Sequence, residues 1–94
     1  MKPRIPVHFT FSHHARMRLH GRGMSVRSVE AALRWGRRAW SHGDWLYRLD
    51  RRSVAQARKH GVRVDSHEGT SVILTRDHII RTIWRNRSPQ RIRR

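Results

Sequence analysis

Apolar residues recur along this chain with two different periods, and the change of period divides it. Val26, Val29 and Leu33 mark one stripe of a helix. Ser25 is suited to cap that helix and Gly36 to end it. Upstream, Ser12 is suited to cap a first helix from His13 to about His20, with Gly21 at the left-handed position beyond its end. The loop Arg22-Gly23-Met24 joins the two. After Gly36 the period falls to two. Residues 37–42 and 45–50 read as strands with Gly43-Asp44 as the turn between them. Ser53 is suited to cap a short helix over residues 54–60 that ends at Gly61, and Val62 and Val64 read as a brief strand. Residues 70–75 and 79–84 are the clearest strands, joined by Arg76-Asp77-His78. The expected class is α+β: two N-terminal helices packed on an antiparallel sheet of about four strands, with a short additional helix in the middle.

One domain accounts for the 94 residues. Residues 1–11 carry two prolines and read as an extended lead-in, of which His8 to Phe11 are a short strand or a strap. Residues 12–87 form the domain, and residues 88–94 are a basic tail expected to be disordered. No internal repeat is evident. The expected core is Val26, Val29, Leu33, Trp35, Leu46, Leu49, Val72, Leu74, Ile79 and Ile83. Hydrophobic residues make up only 36% of the chain, so that core is small.

Charge changes the picture more than hydropathy does. Lysine and arginine total 22 against 6 acids, a net charge of +16, and only Lys2 and Lys59 are lysine. Guanidinium grips phosphate through two parallel hydrogen bonds, and a nucleic acid is a dense array of phosphates. A polyanion is the expected partner, RNA before others. The chain lacks cysteine, which excludes disulfides and thiolate metal sites. Its eight histidines show no familiar ligand spacing, so neither metal nor cofactor is expected. No apolar run is long enough to span a bilayer, so no membrane is expected and the cytoplasm is the default location.

Chemistry is sought first in the opening helix. A 100° step places His14, Ala15, Arg18 and Leu19 in one stripe, which Arg22 would extend. His14 and Arg18 lie one turn apart beside two apolar residues. An imidazole there is tuned for proton transfer, or it is a helix-start residue with a hydrogen bond and nothing more. Four tryptophans and one tyrosine are many for this length. Aromatic rings interleaved with arginines can stack on unpaired bases, although Trp35 and one of Trp40 or Trp45 are expected in the core. Tyr47, Arg48, Trp84, Arg85, Asn86 and Arg87 are the expected nucleic-acid contacts. On a strictly alternating strand Trp84 shares a face with Ile80, Thr82 and Asn86, while Ile79, Arg81, Ile83 and Arg85 share the other.

The stretch Ser12-His13-His14-Ala15-Arg16-Met17-Arg18, followed by Arg22-Gly23-Met24-Ser25, resembles the opening motif of the family catalogued as domain of unknown function 4258. Gly69, Val72, Thr82, Ile83, Trp84, Arg85 and Asn86 are similar to its closing strand, with Trp84 where tyrosine is commoner. Tyr47 and Arg51-Arg52-Ser53-Val54 look like its middle. The resemblance covers about residues 10–87. It implies a barnase–EndoU–colicin–RelE-like fold, many of whose members are metal-independent ribonucleases and toxins of toxin–antitoxin pairs.

Metal-free RNA cleavage needs a base for the 2′-hydroxyl proton, cations for the developing phosphorane charge and an acid for the leaving oxygen. His14 is the candidate base or acid. Arg18 and Arg22 are candidates to hold the phosphate, and Thr82 to donate a hydrogen bond to it. Glu30 and Glu68 are the only glutamates and neither is well placed, which leaves an acid–base pair incomplete. The leading expectation is an RNA-directed protein of the RelE-like endoribonuclease kind, acting on RNA that is free or ribosome-bound. The alternatives are a non-catalytic nucleic-acid-binding module and an interaction domain engaging an acidic partner such as an antitoxin.

Overall fold

Serine and aspartate caps set the starts of the helices. In the computed structural model, which describes residues 8–21 and 24–86, the Ser12 hydroxyl accepts from the Ala15 amide and opens α1, His13–Gly21. Ser25 and Ser28 form a reciprocal capping box at the start of α2, Val26–Trp35. Asp50, not Ser53, caps α3, Arg51–Lys59. Its carboxylate accepts from both the amide and the hydroxyl of Ser53, so the helix starts three residues earlier than Ser53 alone suggests.

The strands are β1 Thr10–Phe11, β2 Arg37–Ser41, β3 Asp44–Arg48, β4 Thr70–Leu74 and β5 Ile79–Arg85. They form one five-stranded sheet in the order β1-β5-β4-β3-β2. The four long strands are antiparallel, and β1 adds to β5 in parallel, so the sheet is mixed rather than purely antiparallel. The α+β class stands, with three α-helices and five strands among the described residues. Thr10 and Phe11, in the expected lead-in, are therefore part of the sheet.

The β2–β3 turn is His42-Gly43, one residue earlier than Gly43-Asp44. Both residues have positive φ, 51° and 84°, the pairing a two-residue primed turn demands. Val62 and Val64 make no strand. The Val62 amide donates back to Ala57 at the end of α3, and a 3-10 turn, Asp65–His67, follows instead.

All three helices share one buried core with the sheet. Val29, Ala32 and Leu33 of α2 and Ala15 of α1 are buried with Tyr47, Leu49, Val72, Leu74, Ile80 and Ile83. Each of the larger side chains contributes about 1.5–3 kcal/mol on burial. Three expected core residues are displaced. Val26 stands at the solvent end of the first turn of α2 and is exposed, while Leu46 and Ile79 are half-buried. Ala15, Tyr47, Val54, Ala57 and Ile80 take part in the core instead.

One irregularity fixes which side chains face the helices. Between Ile73 and Leu74 the register against β5 shifts, because Ile73 pairs with Thr82 and Leu74 with Ile80. Arg81 is the extra residue of a β-bulge. It lets Ile80 and Ile83, three apart, both point into the core. Strict alternation fails here, and Ile80 does not share a face with Thr82 and Trp84.

Candidate nucleic-acid interface

The register defines the face of the sheet that the helices leave open. In β3 the buried Tyr47 points toward the helices, so Leu46 and Arg48 point away. Following the pairs across the sheet gives one row of Arg37, Arg48, Ser71 and Trp84, and a second of Ala39, Leu46, Ile73 and Thr82. Beyond them, Asp44 accepts a hydrogen bond from Arg81 at 2.9 Å. Four strands span roughly 14 Å at the usual interstrand spacing. The result is an apolar strip of Ala39, Leu46 and Ile73 flanked by three arginines and a tryptophan. A solvated sheet face is commonly more polar than this.

Charge on this face is partly committed. Arg37 lies 3.4 Å from the Asp50 carboxylate, and Arg81 holds Asp44. Arg48 is exposed and forms no ion pair with any described residue. Between Arg48 and Trp84, Ser71 is completely buried, and its hydroxyl has no hydrogen-bond partner among the described residues. An unsatisfied buried hydroxyl costs about 1–3 kcal/mol. None of the four long strands contains a histidine, and Asp44 is their one carboxylate.

The expected site residues divide between the two sides of the sheet. Arg48, Thr82 and Trp84 share the open face. Tyr47 is 5% exposed and belongs to the core, so its ring offers no stacking surface. Arg85 pairs with Thr70 on the helix side, where its guanidinium donates to the carbonyls of Glu68 and Ser66 and pins the 3-10 turn. Asn86 is exposed, and its amide closes the sheet by donating to Gly69.

In α1, Ala15 is buried, Arg18 and Leu19 are half-buried and His14 is exposed. The α1 helix runs beside β5, tied to it by the Ser12 hydroxyl, which donates to the Arg81 carbonyl. Ala15 joins the helix-side core while Thr82 points to the opposite face. The Ser12 hydroxyl bond sets the start of α1 one residue from Thr82, but no hydrogen bond among the described residues joins His14, Arg18 or Thr82 to one another. Arg22 and Arg87 lie outside the described residues.

No family model, curated protein or solved structure matches the chain. The resemblance noted above therefore rests on its quoted motifs. No helix among the described residues is long and apolar enough to cross a membrane. No group of three histidine or carboxylate side chains among them is placed to hold a metal.

A second cluster was invisible in the sequence. The His67 Nδ1 shares a 3.1 Å hydrogen bond with the Ser28 hydroxyl in the first turn of α2. Burial, then the nearby Arg85 and Arg27 guanidiniums, hold its imidazole below the ordinary 6.5. The unfolded chain thus takes up this proton more readily than the folded one. Stability is full above pH 6.5 and is lost as pH falls toward the lower folded value. Denaturant unfolding at about pH 7.5 and about pH 5 is expected to show wild type losing more stability on acidification than His67→Gln. Equal losses would remove His67 from the acid response.

Proposed function

We propose that this protein binds RNA through the open face of its sheet, with Arg37, Arg48 and Arg81 on phosphates and Trp84 against an unpaired base. The observation that carries this reading is the in-register row Arg37-Arg48-Ser71-Trp84, which sets exposed cations and a half-buried aromatic ring on the face turned away from Tyr47 and Val72. Net charge alone supports attraction to any polyanion. An aromatic ring beside guanidiniums on a flat sheet suits unpaired RNA in particular, whose bases are free to stack.

Binding is favoured over cleavage. The four long strands supply arginines, an aromatic ring and one carboxylate, Asp44, which Arg81 holds, and these are groups suited to binding. The endoribonuclease reading rests on His14 and Arg18, on the other layer.

Charge reversal at matched positions tests the face. Arg48→Glu and Arg34→Glu change the net charge equally, but Arg34 lies exposed on α2 in the helix layer. Arg48→Glu is expected to weaken binding of single-stranded RNA about tenfold more than Arg34→Glu. Equal losses would reduce the interaction to bulk charge. The same RNA is expected to stay intact in the absence of metal. Cleavage that disappears in His14→Ala would restore the enzyme reading.

A further inference from the structure

The β2 strand is an edge of the sheet, and all five of its side chains are exposed. Edges of this kind are ordinarily guarded by charge, because a free strand invites pairing with another chain. Arg37 and Arg38 fit that role. Trp40 does not. It is 48% exposed near the hairpin end of the edge strand, on the side facing away from the row that contains Arg37. Its ring meets Trp45 edge-on, with centroids 4.8 Å apart and an interplanar angle of 68°. Trp45 is half-buried against the core and carries the Arg38 guanidinium 4.3 Å above its ring. Trp40 is thus a braced aromatic surface beside a cation, with no carboxylate anywhere on β2.

We propose that single-stranded RNA crosses the β2 edge from the open face and stacks a second base on Trp40, with Arg38 holding its phosphate. The inference rests on the RNA reading above and extends it to the opposite side of the sheet. Continuity supports the path. Arg37 and Arg38 are adjacent on one strand and point to opposite faces, so a backbone leaving the Arg37-Arg48 row meets Arg38 directly over the edge. Charge decides the occupant. A second copy of a chain carrying +16 is repelled from this edge, whereas RNA is attracted. A base stacked on a braced ring gains affinity without a particular sequence.

Length separates the two sites. Fluorescence anisotropy is measured with labelled single-stranded RNAs of about 4 and about 12 nucleotides, spanning the range of site sizes of small sheet-based binders. The full-length chain and its Trp40→Ala, Trp40→Phe and Arg48→Glu variants are compared. Trp40→Ala is expected to weaken the longer RNA about tenfold and leave the shorter one nearly unchanged, with Trp40→Phe restoring most of the loss. Unchanged binding of the longer RNA overturns the edge site, as does an equal loss on both lengths. Sedimentation provides another check: a wild-type dimer that Trp40→Ala converts to monomer assigns the patch to a second copy and also overturns it. Arg48→Glu reports separately on the open face. If it weakens neither RNA, the face reading itself fails.

Discussion

Gly69→Ala is expected to lower the melting temperature by roughly 15–30 °C. Gly69 stands where the end of β5 closes on the chain entering β4. Its amide donates to Leu49 at 2.8 Å, and its carbonyl accepts from the Asn86 amide at 3.0 Å, so it is held from both sides. Its φ is +95°, a conformation L residues rarely adopt, and a Cβ there would lie 2.2 Å from the Asn86 carbonyl oxygen. The backbone conformation costs about 1–3 kcal/mol. Displacing a strand end anchored by hydrogen bonds adds a comparable amount. A total near 3–5 kcal/mol is a large part of the roughly 5–14 kcal/mol available to a domain of this length. Gly43→Ala provides the contrast. Its φ is +84°, but nothing lies within 4 Å of the added carbon, so only the conformational cost applies. Thermal unfolding followed by circular dichroism should give a loss for Gly69→Ala at least twice that for Gly43→Ala. Equal losses would mean that the end of β5 yields freely.

Local signals were legible in the sequence wherever a single residue decides a local event. Ser12 and Ser25 open their helices because each hydroxyl meets an amide three residues on. Gly43 marked the hairpin, although the turn begins at His42. Ser53 misled as a cap because Asp50, three residues earlier, accepts from both its amide and its hydroxyl and so places Ser53 inside the first turn. The short β1 was open to a second interpretation because two residues carry no period. Its pairing with β5 is a tertiary event.

The site was less legible for a related reason. Face assignment depends on register, and one bulge residue, Arg81, reverses the parity of the chain on either side of it. Alternation through 79–85 thus grouped Ile80 with Thr82 and Trp84, when Ile80 is core and the other two are half-buried on the opposite face. Tyr47 and Arg48 are neighbours in sequence and equally suited to RNA by residue type. Pairing with Val72 buries the first, and pairing with Ser71 leaves the second on the open face. The Ser71 hydroxyl, which has no hydrogen-bond partner among the described residues, had no sequence signal at all.

Replacing Arg37, Arg48 and Arg81 together with glutamine is expected to weaken binding of single-stranded RNA by about 10- to 100-fold and to flatten its salt dependence. Each phosphate neutralised on a single strand contributes about 0.7 to the slope of log affinity against log salt, so three contribute roughly 2. The fold itself should survive. The two ion pairs lost, Arg37 with Asp50 and Arg81 with Asp44, involve arginine side chains 67% and 60% exposed. Their carboxylates are 26% and 18% exposed, so each pair is worth somewhat more than the ~1 kcal/mol of a fully exposed one, still well short of the stability of the domain. Asp50 also keeps its hydrogen bonds to Ser53. The comparison variant replaces Arg34, Arg52 and Arg63, which are exposed and outside the sheet, and removes the same charge. Bulk attraction depends on net charge and would fall equally in both triple variants. A defined interface depends on position and would lose its salt slope only in the first. Titrations over a range of salt concentrations therefore separate the two, and equal slopes would leave the +16 charge as the whole of the interaction.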